Sequence, residues 1–280
     1  MSGTGEADEL AEKALRRLRS APAPSNPFTC DLSVDELVLV EQAGLEPLQM
    51  VMGTSVISVR RRSTIDSGEV PYATDALYRA RHRAIEDLRK EATLVRAHGV
   101  VGVRVEVDAE RWGEDLHEFV AFGTAVRSRT RWLPGARHPF SSHLSGQGIA
   151  ALLAAGYRPL SLVMGAAVWG MSTFWAAGRR RGELTRFTLE FTTARELAIR
   201  RMGAEARVVR AAGVVGVSIE QRSHAWGGGA VEFLALGTAV RPWEGRTRAP
   251  APRAVVAVDA PTPRAAQIRV DVEPLGRPDF

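Results

Sequence analysis

The sequence predicts an α+β fold made of two tandem units, each a small antiparallel sheet covered by one long helix in the order β-β-α-β-β. The first observation is an internal repeat, since Val95–Val103 and Glu118–Arg127 recur almost unchanged as Val209–Val217 and Glu232–Arg241. A repeat at such a long spacing means that one folding unit occurs twice. The second observation is periodicity, because a helical pattern precedes alternating, strand-like runs in both copies.

Each copy contains one long helix followed by two strands. Residues 75–97 and 188–212 carry apolar side chains at helical spacings, and we expect Gly99 to end the first helix. Arg96 then falls in the last helical turn, where a cation suits the helix dipole. Alternation predicts the later strands over 100–107, 118–127, 214–220 and 232–241.

The first half of each copy predicts a pair of strands, and copy two has a long apolar run there. Leu160 to Ala177 contains no charged residue, a length at which a membrane span has to be considered. The matching segment of copy one contains charged Arg60, so it favours strands and a loop. Because two copies of one unit share a fold, we expect no membrane span. Trp169 and Trp175 in the run predict a contact surface.

The chain divides into five segments. Proline-containing stretches separate the two repeats from each other and from both termini. Two short alternating runs in the tail, 255–258 and 268–272, are candidates for an added edge strand. The predicted segments are an N-terminal helix and linker at 1–27, repeat 1 at 28–127, a linker at 128–139, repeat 2 at 140–241 and a tail rich in proline and arginine at 242–280.

Composition narrows the class of protein. The 280 residues have a net charge of +5, but the arginines are scattered along the chain, so we expect no nucleic-acid partner. Cys30 is the single cysteine, which excludes an internal disulfide and fits a reducing compartment. Met1 to Ser20 has no apolar signal core. We therefore expect a cytoplasmic protein.

The sequence offers no pattern for metal or catalytic chemistry. No Cys-x-x-Cys, His-x-x-x-His or Gly-x-Ser-x-Gly motif is present, and no histidine recurs at the matching position of the other copy. We expect scattered surface histidines, no metal site, no cofactor, no catalytic residues and no enzymatic activity. The six histidines are His82, His98, His117, His138, His143 and His224.

Charged residues shared by both copies are the candidates for a ligand site or an interface. Arg81 and Arg195 lie in mid-helix, where pairing across a subunit contact and a solvated face explain them equally well. Glu118 and Glu232 begin a strand and could line an oligomeric site, although such carboxylates are usually solvated. The full candidate set is Arg81, Arg195, Glu118, Glu232, Trp169, Trp175 and two arginine runs, Arg60, Arg61, Arg62 and Arg179, Arg180, Arg181.

Three short motifs occur in both copies. They are Gly-Val-Val-Gly-Val at 99–103 and 213–217, Gly-Thr-Ala-Val at 123–126 and 237–240, and Met-Gly at 52–53 and 164–165. With them, most of residues 40–127 and 152–241 resembles the YbjQ-type family, which carries a heavy-metal-binding label. The resemblance implies a small α/β unit that assembles into a five-membered ring.

These observations lead to a non-enzymatic, self-assembling tandem module with a scaffold or ligand-binding role in a ring-like homo-oligomer. Because two-copy chains cannot fill one five-membered ring, we expect five chains in two stacked rings. The apolar patch of repeat 2 is a candidate surface for an unknown protein partner. The alternative is a metal- or small-ligand-binding protein with sites between subunits.

Overall fold

A computed structural model describes residues 12–13, 16, 28–59, 66–109, 116–129, 138–171, 185–224, 229–243, 255–258 and 268–271 of the chain. The two repeats lie in one unit, and residues from Arg248 onward form a second unit. In that second unit, residues 255–258 and 268–271 pair antiparallel with each other. Both short runs of the tail are therefore strands, but they form a two-stranded sheet of their own instead of the added edge strand that their pattern suggested.

Both repeats combine helices and strands, which confirms the α+β prediction. Repeat 1 contains α1 (Val34–Gln42), β1 (Leu45–Ser58), β2 (Gly68–Glu69), α2 (Pro71–Leu94), β3 (Gly99–Ala109) and β4 (Leu116–Ser128). Repeat 2 contains β5 (Phe140–Ser141), α3 (Gly146–Ala154), β6 (Tyr157–Gly170), α4 (Thr185–Val208), β7 (Gly213–His224) and β8 (Ala230–Pro242). The tail contributes β9 (Val255–Val258) and β10 (Ile268–Asp271).

The repeats exchange short strands. The sheet of repeat 1, sheet 1, has the order β1-β4-β3-β5, and that of repeat 2, sheet 2, has the order β2-β6-β8-β7. Strand β5, from the start of repeat 2, runs parallel to β3 of repeat 1. Strand β2, from repeat 1, pairs antiparallel with the edge of β6 in repeat 2. Each repeat therefore completes the sheet of the other.

The layers alternate in the order sheet 1, α2, sheet 2, α4. Helix α2 shares one core with inner-face residues of its own sheet, such as Phe119, and with outer-face residues of the second sheet, such as Met164 and Leu234. The opposite face of sheet 2, including Phe233, packs against α4. Among the described residues, helix α2 is thus covered by a sheet on both sides, whereas α4 has a sheet on one side.

The two Met-Gly motifs allow a helix to lie close to a strand. A Cβ at Gly53 would overlap the carbonyl oxygen of Ala84 in α2, and a Cβ at Gly165 would overlap that of Ala198 in α4. A larger residue at either position would push the helix off the sheet. These glycines therefore set the spacing between the layers in both repeats.

Helix α2 ends before the glycine that we expected to stop it. Its last residue is Leu94, and Arg96 takes a left-handed conformation with φ of 54°, as its counterpart Arg210 does with φ of 53°. The expectation that Arg96 lies in the last turn is therefore wrong. Gly99 instead begins β3, beside the Phe140 ring. Gly102, with φ of 65°, lies at a bulge between β3 and β4.

Two short helices precede β1 and β6 and were not predicted from the apolar pattern. Ser33 and Glu36 form a reciprocal capping box at the start of α1, in which each side chain accepts a backbone N–H of the other residue. In α3, Ser145 is the N-cap, and its side chain accepts the backbone N–H of Gly148. Both helices lie in a core of their own with the start of β1 and the end of β4.

The apolar run of repeat 2 forms strand β6 as far as Gly170. Its outer-face residues Leu162, Met164 and Val168 are buried in the core that contains α2. This part of the predicted partner surface is therefore covered by repeat 1 of the same chain. Residues 172–177 of the run lie outside the described residues.

Candidate functional site

The contact between the repeats contains a buried ion pair. Arg81 of α2 and Glu232 of β8 approach to 2.6 Å, and each side chain is 1% exposed. The Arg81 guanidinium also lies over the Phe119 ring of its own repeat, 4.9 Å from the ring centroid. Two charges so deeply buried depend on each other, because removal of one leaves the other buried without a counter-charge. The structure thus joins two of the predicted candidates.

Glu232 is ionised in this setting. Burial by itself raises the pKa of Glu232, but the adjacent Arg81 guanidinium and the contact with His224 outweigh it and hold the pKa at about 2. His224 Nε2 lies 3.5 Å from the second carboxylate oxygen. The pair therefore persists through the neutral and mildly acidic range of pH.

A second polar cluster surrounds Glu205 of α4. Its carboxylate accepts the backbone N–H of Met164 at 2.7 Å and contacts Tyr78 Oη and, at 2.6 Å, His82 Nε2 of α2. Burial raises the pKa of Glu205 to about 7, partly opposed by the Met164 hydrogen bond. Burial also lowers the pKa of His82. The Glu205 carboxyl therefore links α4 to two side chains of α2 across the boundary between the repeats.

Further polar contacts follow the same boundary. Arg89 of α2 donates to Ser141 Oγ at 2.8 Å and to Ser161 Oγ. Arg201 of α4 pairs with Glu69 of β2 at 2.6 Å. These residues were not among the predicted candidates, because each partner comes from the other repeat and no local pattern marks it.

Two histidines lie near the buried ion pair. His117 is 3% exposed and His224 is 10% exposed at its side chain, with ring centroids 5.8 Å apart. The expectation of surface histidines is therefore wrong for both. Within the described ranges, no group of three or more His, Cys, Asp or Glu residues could hold a metal ion. The donors that these ranges bring together do not fit a heavy-metal site.

The counterparts of the buried pair remain apart within the chain. Arg195 of α4 is exposed, lies 5.2 Å from the Phe233 ring centroid and donates to Gln221 Oε1 at 3.4 Å. Glu118 of β4 is half-buried on the outer face of sheet 1. The two candidates thus lie on different faces of the layered stack, one on its last helix and the other on its first sheet.

The other candidates have different settings. Trp169 in β6 is half-buried and packs against the core beneath α4. The remaining ones lie outside the described residues: Arg60, Arg61, Arg62, Trp175, Arg179, Arg180 and Arg181. Among the described helices, none is both long and apolar enough to cross a membrane.

Comparison with known proteins agrees with this architecture. A family model described as "Putative heavy-metal-binding", YbjQ, matches residues 44–129 and 160–242. The chain is also 42% identical, over 227 residues, to the encapsulin nanocompartment protein Rv1762c of Mycobacterium tuberculosis strain ATCC 25618 / H37Rv. That match covers 76% of this chain and 86% of the relative. Two successive matches, one in each half of the layered stack, show that this chain belongs to the YbjQ family and carries its domain twice.

Proposed function

We propose that the chain is a non-enzymatic, cytoplasmic module that assembles with itself into a ring-like homo-oligomer and serves as a scaffold. The contact between the repeats carries this proposal. A helix face and a strand edge of repeat 1 bind a different surface, the outer sheet face, of repeat 2. Such a head-to-tail contact can repeat from chain to chain, and it closes into a ring where the rotation allows.

The relative from Mycobacterium tuberculosis supports a role in assembly. Its name describes an encapsulin nanocompartment protein, and the identity of 42% extends over most of both chains. We infer that this chain too acts through association rather than through turnover of a substrate.

The number of chains depends on whether the two repeats of a chain lie in one ring or in two stacked rings. Two stacked five-membered rings would take five chains, one repeat in each ring. The side-by-side contact of the repeats favours instead a single ring in which repeat 1 and repeat 2 alternate. Such a ring has an even number of members, so five chains would form a ring of ten repeats.

Light scattering on the tag-free full chain at micromolar concentration tests this proposal. We expect one discrete particle whose mass is a whole multiple of 30.4 kDa, five times that mass for five chains. A stable monomer would contradict self-assembly. A mass that grows continuously with concentration would contradict a closed ring in favour of an open filament.

A further inference from the structure

The two long helices present the same face to different surroundings. In α2, this face is buried against repeat 2, with Thr74 6%, Arg81 1% and Ile85 3% exposed. The matching positions of α4 carry Thr188, Arg195 and Ile199, and all three are exposed, Ile199 by 41%. The residue type is the same at each position, but no described part of the chain covers this face of α4 with a sheet.

The outer faces of the two sheets differ in the same way. In sheet 2, the residues that meet α2 are almost fully buried: Val168 is 0%, Glu232 1% and Leu234 3% exposed. Their counterparts in sheet 1 are Val56, which is 55% exposed, and the half-buried Glu118 and Val120. Sheet 1 thus presents an open face that combines apolar side chains with the Glu118 carboxylate.

We propose that the open face of α4 docks on the open outer face of sheet 1 of a second copy of this chain, with Arg195 paired to Glu118 of that copy. This interface rests on the proposed self-assembly and names its surfaces. The Arg195 guanidinium already lies over Phe233 as Arg81 lies over Phe119, so it is held in the orientation that the buried pair uses. The face of α4 needs a carboxylate opposite Arg195, and Glu118 occupies the position of Glu232.

The strand edges support the same docking. Phe140 of β5 lies against Gly99 at the edge of β3 and is 4% exposed. At the matching Gly213 of β7, no described atom lies within 4 Å of a Cβ position, and the matching Phe28 is 50% exposed. A second copy docked in the same way brings its Phe28 to this edge.

The contact between chains differs from the one within the chain in its polar surroundings. Within the chain, Tyr78 and His82 of α2 contact Glu205 of repeat 2. At the proposed contact between chains, the matching positions on α4 carry Thr192 and Glu196. The position that matches Glu205 carries Glu91 of the second copy. Glu196 would face Glu91 as a like charge. We therefore expect the interchain contact to be weaker than the intrachain one and to depend more on the Arg195–Glu118 pair.

Charge reversal in the full chain tests the interface. We expect Arg195→Glu and Glu118→Arg each to weaken association by about 10-fold or more, because a like-charge pair is then buried. The double variant Arg195→Glu/Glu118→Arg should regain the wild-type mass, because its two reversed charges attract each other at every contact between chains. The matched control is Arg200→Glu, also exposed on α4, which should keep the wild-type mass.

The outcomes separate this interface from self-assembly itself. A monomeric wild type would overturn both proposals. A wild type that assembles while both reversed variants keep its mass would overturn the interface alone, as would single variants that dissociate without rescue by the double variant. Circular dichroism checks folding, and Phe28→Ala, which leaves the charges unchanged, provides a second variant that should also weaken association.

Discussion

Arg81 and Glu232 form an ion pair of 2.6 Å that joins the two repeats at a point with almost no solvent. Among the described residues, Arg81 contacts this carboxylate as its one counter-charge, and its guanidinium lies over the Phe119 ring. The pair therefore fixes how repeat 1 sits on repeat 2. Its two members occupy positions that recur in the other repeat as Arg195 and Glu118, the pair that we propose to form between chains.

Glu232→Gln should destabilise the chain by about 3–5 kcal/mol, because it leaves the Arg81 guanidinium buried without a counter-charge. Denaturant unfolding measures this free energy. Glu118→Gln, the matched change on the open face, should change the unfolding free energy of the dissociated chain by less than about 0.5 kcal/mol. Equal losses in the two variants would contradict a special role for the buried pair.

The double variant Arg81→Met/Glu232→Leu should be more stable than Glu232→Gln alone. Replacing both charges with apolar side chains removes the desolvation cost together with the attraction, and such exchanges are often close to neutral. The coupling free energy from a double-mutant cycle measures this effect. Additive losses would show that the two side chains contribute independently.

Glu205 makes stability depend on pH. Its pKa in the folded chain is about 7, above the ordinary value of 4.5, so the folded state holds more protons and stability falls as pH rises from about 5 to 8. His82 acts in the opposite direction, because its lowered pKa costs stability as pH falls below 6.5. We expect Glu205→Gln to remove the loss toward pH 8, by about 1–3 kcal/mol. Unfolding curves at pH 5 and 8 measure it, and an unchanged slope in the variant would contradict it.

The repeats, the long helices and the late strands were predictable because their signals are local. Apolar spacing marked α2 and α4, and alternation marked β3 and β4. Ser33 and Glu36 also carry a local signal for α1, the capping box, but no helix was predicted there. The end of α2 was predicted too late in the chain. Arg96 takes a left-handed conformation, which a residue other than glycine rarely adopts, so its residue type did not indicate that the helix ends before it.

The site was less predictable because its partners are distant in sequence. Arg81 and Glu232 were each candidates by recurrence, but recurrence does not say that Arg81 meets Glu232 rather than Glu118. The exchange of β2 and β5 between sheets depends on the packing of whole repeats. The contacts of Glu205 with Tyr78 and His82 arise from that same packing.

Gly165→Ala should destabilise the chain by about 1–3 kcal/mol, because the added methyl group overlaps the Ala198 carbonyl oxygen and displaces α4 from its sheet. Gly203→Ala, within α4, is the control. No described atom lies within 4 Å of a Cβ there, and alanine favours a helix by about 0.5–1 kcal/mol over glycine. The midpoint temperature of thermal unfolding should therefore fall in Gly165→Ala and rise in Gly203→Ala. A shift of the same sign in both variants would contradict the close approach at Gly165.

No transition metal should remain bound to the tag-free chain after dialysis. A soft ion needs grouped nitrogen or sulfur donors. The described residues bring His117 and His224 together beside Glu232, but Arg81 already engages that carboxylate. Elemental analysis by mass spectrometry should give a metal-to-chain ratio far below one for zinc, copper and nickel. A ratio near one that is lost in His117→Ala or in Cys30→Ser would contradict this expectation. The variant that loses the metal would identify the side chain that supplies the donor. His117 lies in β4, whereas Cys30 lies on the segment that precedes α1, so the two variants test separate places.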